Sequence, residues 1–220
     1  MLGLRLAVAM VLTSVSIPLA TGAPGSAGPE VIFLAGKGGA NCSAVWIDTH
    51  RVLTAGHCVG PRGDSVFWKS NGVVEGGCVL GSHSSKDLAL IESGSAAPSY
   101  VPLVPAGIPG TGTIQIAGFS IGASWQGDTD VLAANTSVIS VDSSMAPTAD
   151  LPCYGDSGGP AYSSGRLVGI GHRIVSPFNC STDSAEYTFV GNESGWVKGF
   201  SDDTGCRKTL DQVKTFLRSQ

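Results

Sequence analysis

The sequence predicts an all-β fold, on three observations. Short apolar runs bounded by Gly, Pro or Ser recur along most of the chain. Charged residues make up only 14% and glycines number 31, which suits strands joined by tight turns better than long solvent-facing helices. Six cysteines in a chain with an export-type opening read as three disulfides, a framework common in secreted β domains, rather than as a metal site. Many short strands with turn signals between them fit a sandwich or a barrel, and periodicity does not choose between the two.

Taken in order, the chain opens Met1-Leu2-Gly3-Leu4-Arg5, runs mostly apolar from Leu6 to Val15, and reaches small residues at Ala20 to Ala23. A basic start, an apolar stretch and a small-residue exit describe a secretory signal peptide over residues 1–22, cleaved after Gly22. The stretch falls short of the roughly 20 apolar residues needed to span a bilayer, and no later one is longer, so no membrane span is expected. The expected location is extracellular. The formal charge of −4 becomes one unit more negative when Arg5 leaves, which argues against nucleic acid as a partner.

Ala23 to Pro29 is a Pro/Gly/Ser-rich lead. The apolar runs expected as strands are Val31–Ala35, Ala44–Ile47, Val52–Ala55, Val73–Leu80, Leu88–Ile91, Ile114–Ala117, Val138–Val141, Leu167–Ile170 and Tyr187–Val190. Between them, Ser93 to Pro109 is rich in Pro, Gly, Ala and Ser and reads as a linker. In the tail, Thr209–Ser219 places Leu210, Val213, Phe216 and Leu217 at helical spacing, which predicts an amphipathic helix.

Chemistry concentrates in three stretches. Cys153-Tyr154-Gly155-Asp156-Ser157-Gly158-Gly159-Pro160 sets one Ser among three glycines, where backbone N–H groups can approach a ligand without a Cβ in the way. With Ser157 as nucleophile, the N–H groups of Gly155 and Ser157 can point together at a developing oxyanion. Leu53-Thr54-Ala55-Gly56-His57-Cys58 supplies a base of suitable intrinsic pKa in His57. Lys86-Asp87-Leu88-Ala89-Leu90-Ile91 supplies Asp87, a carboxylate able to orient that imidazole. The order His, Asp, Ser is that of chymotrypsin-type hydrolases.

On these motifs, over Cys42 to Phe200, the chain resembles the trypsin/chymotrypsin-family serine proteases in a compact form. The resemblance implies two packed antiparallel six-stranded β-barrels within a domain at 23–220: one at about 31–95, one at about 108–195, and a C-terminal helical extension at 196–220. It implies His57, Asp87 and Ser157 as catalytic residues in the cleft between the barrels. It pairs Cys42 with Cys58 and Cys153 with Cys180, which leaves Cys78 with Cys206. Trp196-Val197-Lys198-Gly199-Phe200 matches the family's C-terminal helix, and the tail helix lies beyond the usual family end with Cys206 just before it. The implied activity is that of a secreted serine endopeptidase needing no cofactor and no metal. The implied partners are a protein or peptide substrate and, as an open class, a protein inhibitor; the expected state is a monomer.

Three departures from the family pattern matter. The family's Ile-Val-Gly-Gly start is missing, so Asp156, which in the family pairs with a new N-terminal amine, needs another partner. In the substrate pocket, bordered by Tyr154, Leu151 stands where trypsins have Asp, so a basic residue before the cut bond is not expected. The wall reads His172-Arg173-Ile174 in place of Ser-Trp-Gly, and Ala185 replaces a further Gly. Ile174 and Ala185 would narrow the pocket and favour a small apolar residue, whereas His172 and Arg173 could draw an acidic one. His172 could instead hydrogen-bond Asp87, and a bulge at Gly171 would shift the alignment by one residue. The rival reading from another class is an inactive, protease-like binding module.

Overall fold

The computed structural model describes residues 27–70, 73–103, 107–120, 123–142, 154–174, 184–200 and 204–219. Leu151, Cys153, Cys180, the leader at 1–22 and the side chain of Ile174 lie outside the described residues. The first six strands are β1 (Val31–Ala35), β2 (Asn41–Trp46), β3 (Arg51–Thr54), β4 (Ser65–Ser70), β5 (Val73–Ser82) and β6 (Ala89–Ser93). They close into an antiparallel barrel in the order β1-β2-β3-β6-β5-β4. The next six are β7 (Thr113–Ser120), β8 (Ala123–Ala134), β9 (Val138–Val141), β10 (Pro160–Ser163), β11 (Arg166–Ile174) and β12 (Ala185–Phe189). They close a second barrel in the order β10-β11-β12-β9-β8-β7.

Each of the nine apolar runs overlaps a strand; β4, β8 and β10 add three that such runs do not mark. In β4, Val66 and Trp68 are buried while Lys69 faces solvent, so the strand alternates instead of running apolar. The long β8 is mostly polar along Gln126 to Asp130, yet it pairs with β7 from Thr113↔Asp130 to Ser120↔Ala123. Pro160 opens β10, a position where the missing N–H is tolerated.

Trp46 and Trp68 meet edge to face at 5.7 Å in the core of the first barrel. Ala117, Leu167 and Ile170 of the second barrel join the same apolar cluster, so the two barrels are packed through a continuous core. That contact fixes how the two barrels meet.

Two helices end the chain, α1 (Ser194–Lys198) and α2 (Thr204–Arg218). The tail helix starts a turn earlier than apolar spacing predicts, and Cys206 lies on it rather than before it. The reason is that Cys206 is itself part of the stripe: it and Val213 are both buried, with Leu210 half-buried between them. The helix docks on the first barrel through the Cys78–Cys206 disulfide, a hydrogen bond from Thr209 Oγ1 to the Gly63 carbonyl (2.9 Å), and a Phe67–Phe216 edge-to-face contact (5.5 Å). Val213 packs so closely on Gly76 of β5 that a Cβ there would lie 2.7 Å from its methyl. No helix among the described residues is long and apolar enough to cross a membrane.

Candidate active site

His57 stands on a single 3-10 turn, Gly56–Cys58, that follows directly from β3. The Cys42–Cys58 disulfide, with Cα atoms 6.2 Å apart, ties that turn back to β2. Asp87 comes from the segment leading into β6. One of its oxygens accepts the backbone N–H of His57 at 2.8 Å, and the other meets His57 Nδ1 at 2.7 Å. A carboxylate only accepts, so Nδ1 donates and Nε2 keeps its lone pair free as a base. The hydrogen bond to Asp87 raises the His57 pKa above its ordinary value, against a smaller opposing effect of burial. For Asp87, burial works upward, but the hydrogen bonds and charge of His57, with a contribution from His172, hold the carboxyl below its ordinary value.

The segment carrying Asp87 is itself anchored. The neighbouring Lys86 reaches Glu193 Oε1 at 2.6 Å and donates to the Phe189 carbonyl at 3.0 Å, and His83 Nε2 lies 3.3 Å from the other Glu193 oxygen. Glu193 is buried and sits at the start of α1, so the clamp joins the β5–β6 connection of the first barrel to the second barrel's exit. Neither Lys86 nor Glu193 carries a sequence signal for such a role; the two are 107 positions apart.

Ser157 lies on a turn that two glycines shape. Gly155 has φ of +108° and Gly158 of +87°, in the region that side chains disfavour. At Gly158 space is lacking as well: a Cβ would come within 2.0 Å of the Ser43 carbonyl oxygen and 2.2 Å of Thr54 Oγ1. The turn therefore rests on the first barrel beside the His57 segment, with Cys58 Sγ 3.6 Å from the Ser157 carbonyl oxygen.

Ser43, which sequence reading does not single out, is the tie between them. This wholly buried residue of β2 donates its N–H to the Ser157 carbonyl at 2.7 Å and its hydroxyl to the Gly155 carbonyl at 2.8 Å. Its hydroxyl also accepts the Phe119 N–H of β7 at 2.9 Å, and its carbonyl accepts Thr54 Oγ1 at 2.8 Å. One side chain thus reaches across the barrels and holds the peptide that follows Gly155. No local pattern marks Ser43 for this role; Asn41-Cys42-Ser43 reads only as an N-x-Ser triplet beside a cysteine.

Asp156 is buried, and its carboxylate lies over Gly118 of β7, where a Cβ would be 2.4 Å from Oδ1. Its charge reaches Tyr187 of β12, whose hydroxyl is pushed up first by burial and then by Asp156.

Of the remaining pocket candidates, Tyr154 is 68% exposed and Ala185 is buried in β12. The irregularity in β11 falls between Gly171 and Arg173, so His172, not Gly171, is the unpaired extra residue. The bulge turns His172 toward Asp87, with Nε2 3.8 Å from Oδ2: an ion-pair distance, longer than a hydrogen bond. Arg173, largely exposed, pairs with Glu186 across the strands at 2.7 Å. Among the described residues, the one group with metal-ligand proximity is Cys42, His57 and Cys58, and the disulfide occupies both sulfurs.

The sequence matches the profile of the trypsin-like peptidase domain over residues 42–170, more than half of the chain. No curated protein matches it. The structure resembles that of HL collagenase, at a TM-score of 0.62 and 20% identity, covering 78% of this chain and 92% of that one. It resembles kallikrein-related peptidase 10, solved in complex with Zn2+, at 0.62 and 20%, covering 78% and 94%. Neuropsin, a serine protease expressed in the limbic system of mouse brain, gives 0.63 and 20%, covering 81% and 99%. At this identity the structural likeness speaks for the fold.

Proposed function

Because the chain belongs to the trypsin-like peptidase family, we propose that it is a secreted serine endopeptidase working through an acyl-enzyme on Ser157. The observation that carries this reading is the doubly bonded His57–Asp87 pair, set beside the Ser157 turn by Ser43. His57 Nε2 takes the Ser157 proton as the hydroxyl attacks the substrate carbonyl, and returns it to the leaving amine. Asp87 keeps Nδ1 protonated and stabilises the imidazolium. The N–H groups of Gly155 and Ser157 receive the oxyanion, each such donor being worth about 3 kcal/mol in the transition state. Water then repeats the sequence on the ester.

For the residue before the cut bond, the reading is small and apolar rather than acidic. Arg173 is engaged with Glu186 and His172 leans on Asp87, which leaves neither disposed to receive a carboxylate. A library with Lys, Phe, Ala, Val and Glu at that position tests this: Ala and Val should be cleaved best, and strong cleavage after Glu or Lys would overturn it.

Labelling with a fluorophosphonate tests the activity itself. Folded, processed protein should be modified once, at Ser157, and Ser157→Ala not at all. Absence of labelling in the folded chain would leave a protease-like binding module as the reading.

A further inference from the structure

Asp87 is carried by the connection between β5 and β6, residues 83–88, which is closed on itself. The His83 N–H donates to the Leu88 carbonyl at 2.8 Å, and the Leu88 N–H donates to the Lys86 carbonyl at 2.8 Å. Asp87 is therefore the middle residue of a three-residue turn, and its direction follows the backbone of Lys86 and Leu88.

Both flanks of that turn meet one carboxylate. Glu193 Oε1 accepts from Lys86 Nζ at 2.6 Å, and Glu193 Oε2 faces His83 Nε2 at 3.3 Å. The Ser85 N–H donates to His83 Nδ1 at 3.2 Å, which leaves the ring proton on Nε2, the nitrogen that faces Glu193. The Lys86 ammonium also donates to the Phe189 carbonyl at 3.0 Å and lies 5.8 Å from the centre of the Phe189 ring. Glu193 itself is set by α1. Its carbonyl accepts the Val197 N–H at 3.0 Å, and Trp196 packs edge to face on the His83 ring at 5.2 Å. A buried carboxylate deprived of its cation is costly, so the turn is drawn to the one geometry that satisfies Glu193.

We propose that Glu193, acting through Lys86, is a positioning residue that sets the contact between the Asp87 carboxylate and His57. The inference rests on the reading of His57 and Asp87 as base and orienting carboxylate. Asp87 is met by the His57 ring, by the His57 N–H and, at 3.8 Å, by His172 Nε2 of β11. Those contacts reach the carboxylate, whereas Glu193 holds the backbone that carries it.

Positioning and simple electrostatics predict opposite signs at Lys86. By charge alone, loss of the Glu193 anion lowers the His57 titration midpoint, and loss of the Lys86 cation raises it. By positioning, either loss loosens the Asp87 hydrogen bond that chiefly raises the His57 pKa, so both lower the midpoint.

The test is an NMR titration of the histidine rings in the full chain, in wild type, Glu193→Gln, Lys86→Met and Lys86→Arg. His57 is assigned by the loss of its signal in His57→Gln. The His57 midpoint should fall in Glu193→Gln and in Lys86→Met, and Lys86→Arg should recover most of the difference, since it keeps the charge and the donors. Fluorophosphonate labelling at Ser157 should slow by about tenfold in the same two variants. A midpoint that rises or stays in Lys86→Met would overturn the proposal, and so would an unchanged labelling rate in both variants of a chain whose wild type is labelled. Should Glu193→Gln not fold, Lys86→Met against Lys86→Arg decides alone. Midpoints that move as expected in a chain that no fluorophosphonate labels would uphold the clamp and overturn the peptidase reading instead.

Discussion

The two walls of the candidate site are built to different standards. On the first-barrel wall, His57 is fixed by a disulfide one residue away, by a hydrogen bond to its backbone and by another to its ring. On the second-barrel wall, β11 carries an irregularity at His172, and its outermost ion pair, Arg173–Glu186, is largely in solvent. Proton transfer tolerates little displacement, whereas a pocket can vary in shape without losing the chemistry. On the proposed function, the base and its carboxylate belong to the braced wall and the substrate pocket to the looser one, while Ser157, which leads into β10, is tied to the braced wall through Ser43.

The largest expected effect attacks the braced wall. Asp87→Asn should lower kcat by about 10⁴-fold, because the amide no longer holds Nδ1 protonated. Steady-state kinetics on the folded variant checks it, and a loss confined to KM would move Asp87 to the binding side of the comparison. Next comes the brace beneath that wall. Cys206→Ser should cost about 3 kcal/mol of stability, seen as an earlier denaturant midpoint, with kcat nearly unchanged. A fall in kcat matching that of Asp87→Asn would mean that α2 reaches the active site.

Ser43→Ala tests the tie between the walls. Removing the hydroxyl frees the Gly155 carbonyl and leaves the part-buried Phe119 N–H without its acceptor. A drop of about tenfold to a hundredfold in kcat with KM largely kept is expected, and Ser43→Thr should restore part of it. The smallest effect belongs to the looser wall: Arg173→Ala should leave kcat on Ala and Val substrates within about twofold, since its exposed pair with Glu186 is worth little. A strong loss there would show the second wall to be as constrained as the first.

Sequence legibility follows the same division. His57, Asp87 and Ser157 sit in short local stretches whose residue types carry their chemistry, so they can be read 30 to 100 positions apart. The strands with continuous apolar runs were legible for the same local reason. β4 and β8 were not, because their burial alternates or depends on a hairpin partner. Ser43 was invisible because its meaning lies in Gly155, 112 positions away, and in Phe119 on the other barrel. The bulge shows the limit on the pocket side: Gly171 hints at it, but the extra residue is His172, and that one-residue difference decides which way His172 and Arg173 face.

The His57–Asp87 pair also couples to pH. The raised His57 pKa contributes stability present below the ordinary histidine value and lost as pH rises through the folded one. The lowered Asp87 pKa contributes stability present above the ordinary carboxylate value and lost as pH falls through the folded one. Both contributions hold together in the window between those two ordinary values. Catalysis runs the other way on the upper side, since only neutral His57 accepts a proton.

The rate of fluorophosphonate labelling at Ser157, followed across pH in wild type and Asp87→Asn, therefore tests the central claim most directly. In wild type it should rise with pH through a single step whose midpoint lies above the ordinary histidine value. In Asp87→Asn it should fall by orders of magnitude, with the step displaced downward. Labelling that ignored pH, or that proceeded equally fast in the variant, would contradict the account.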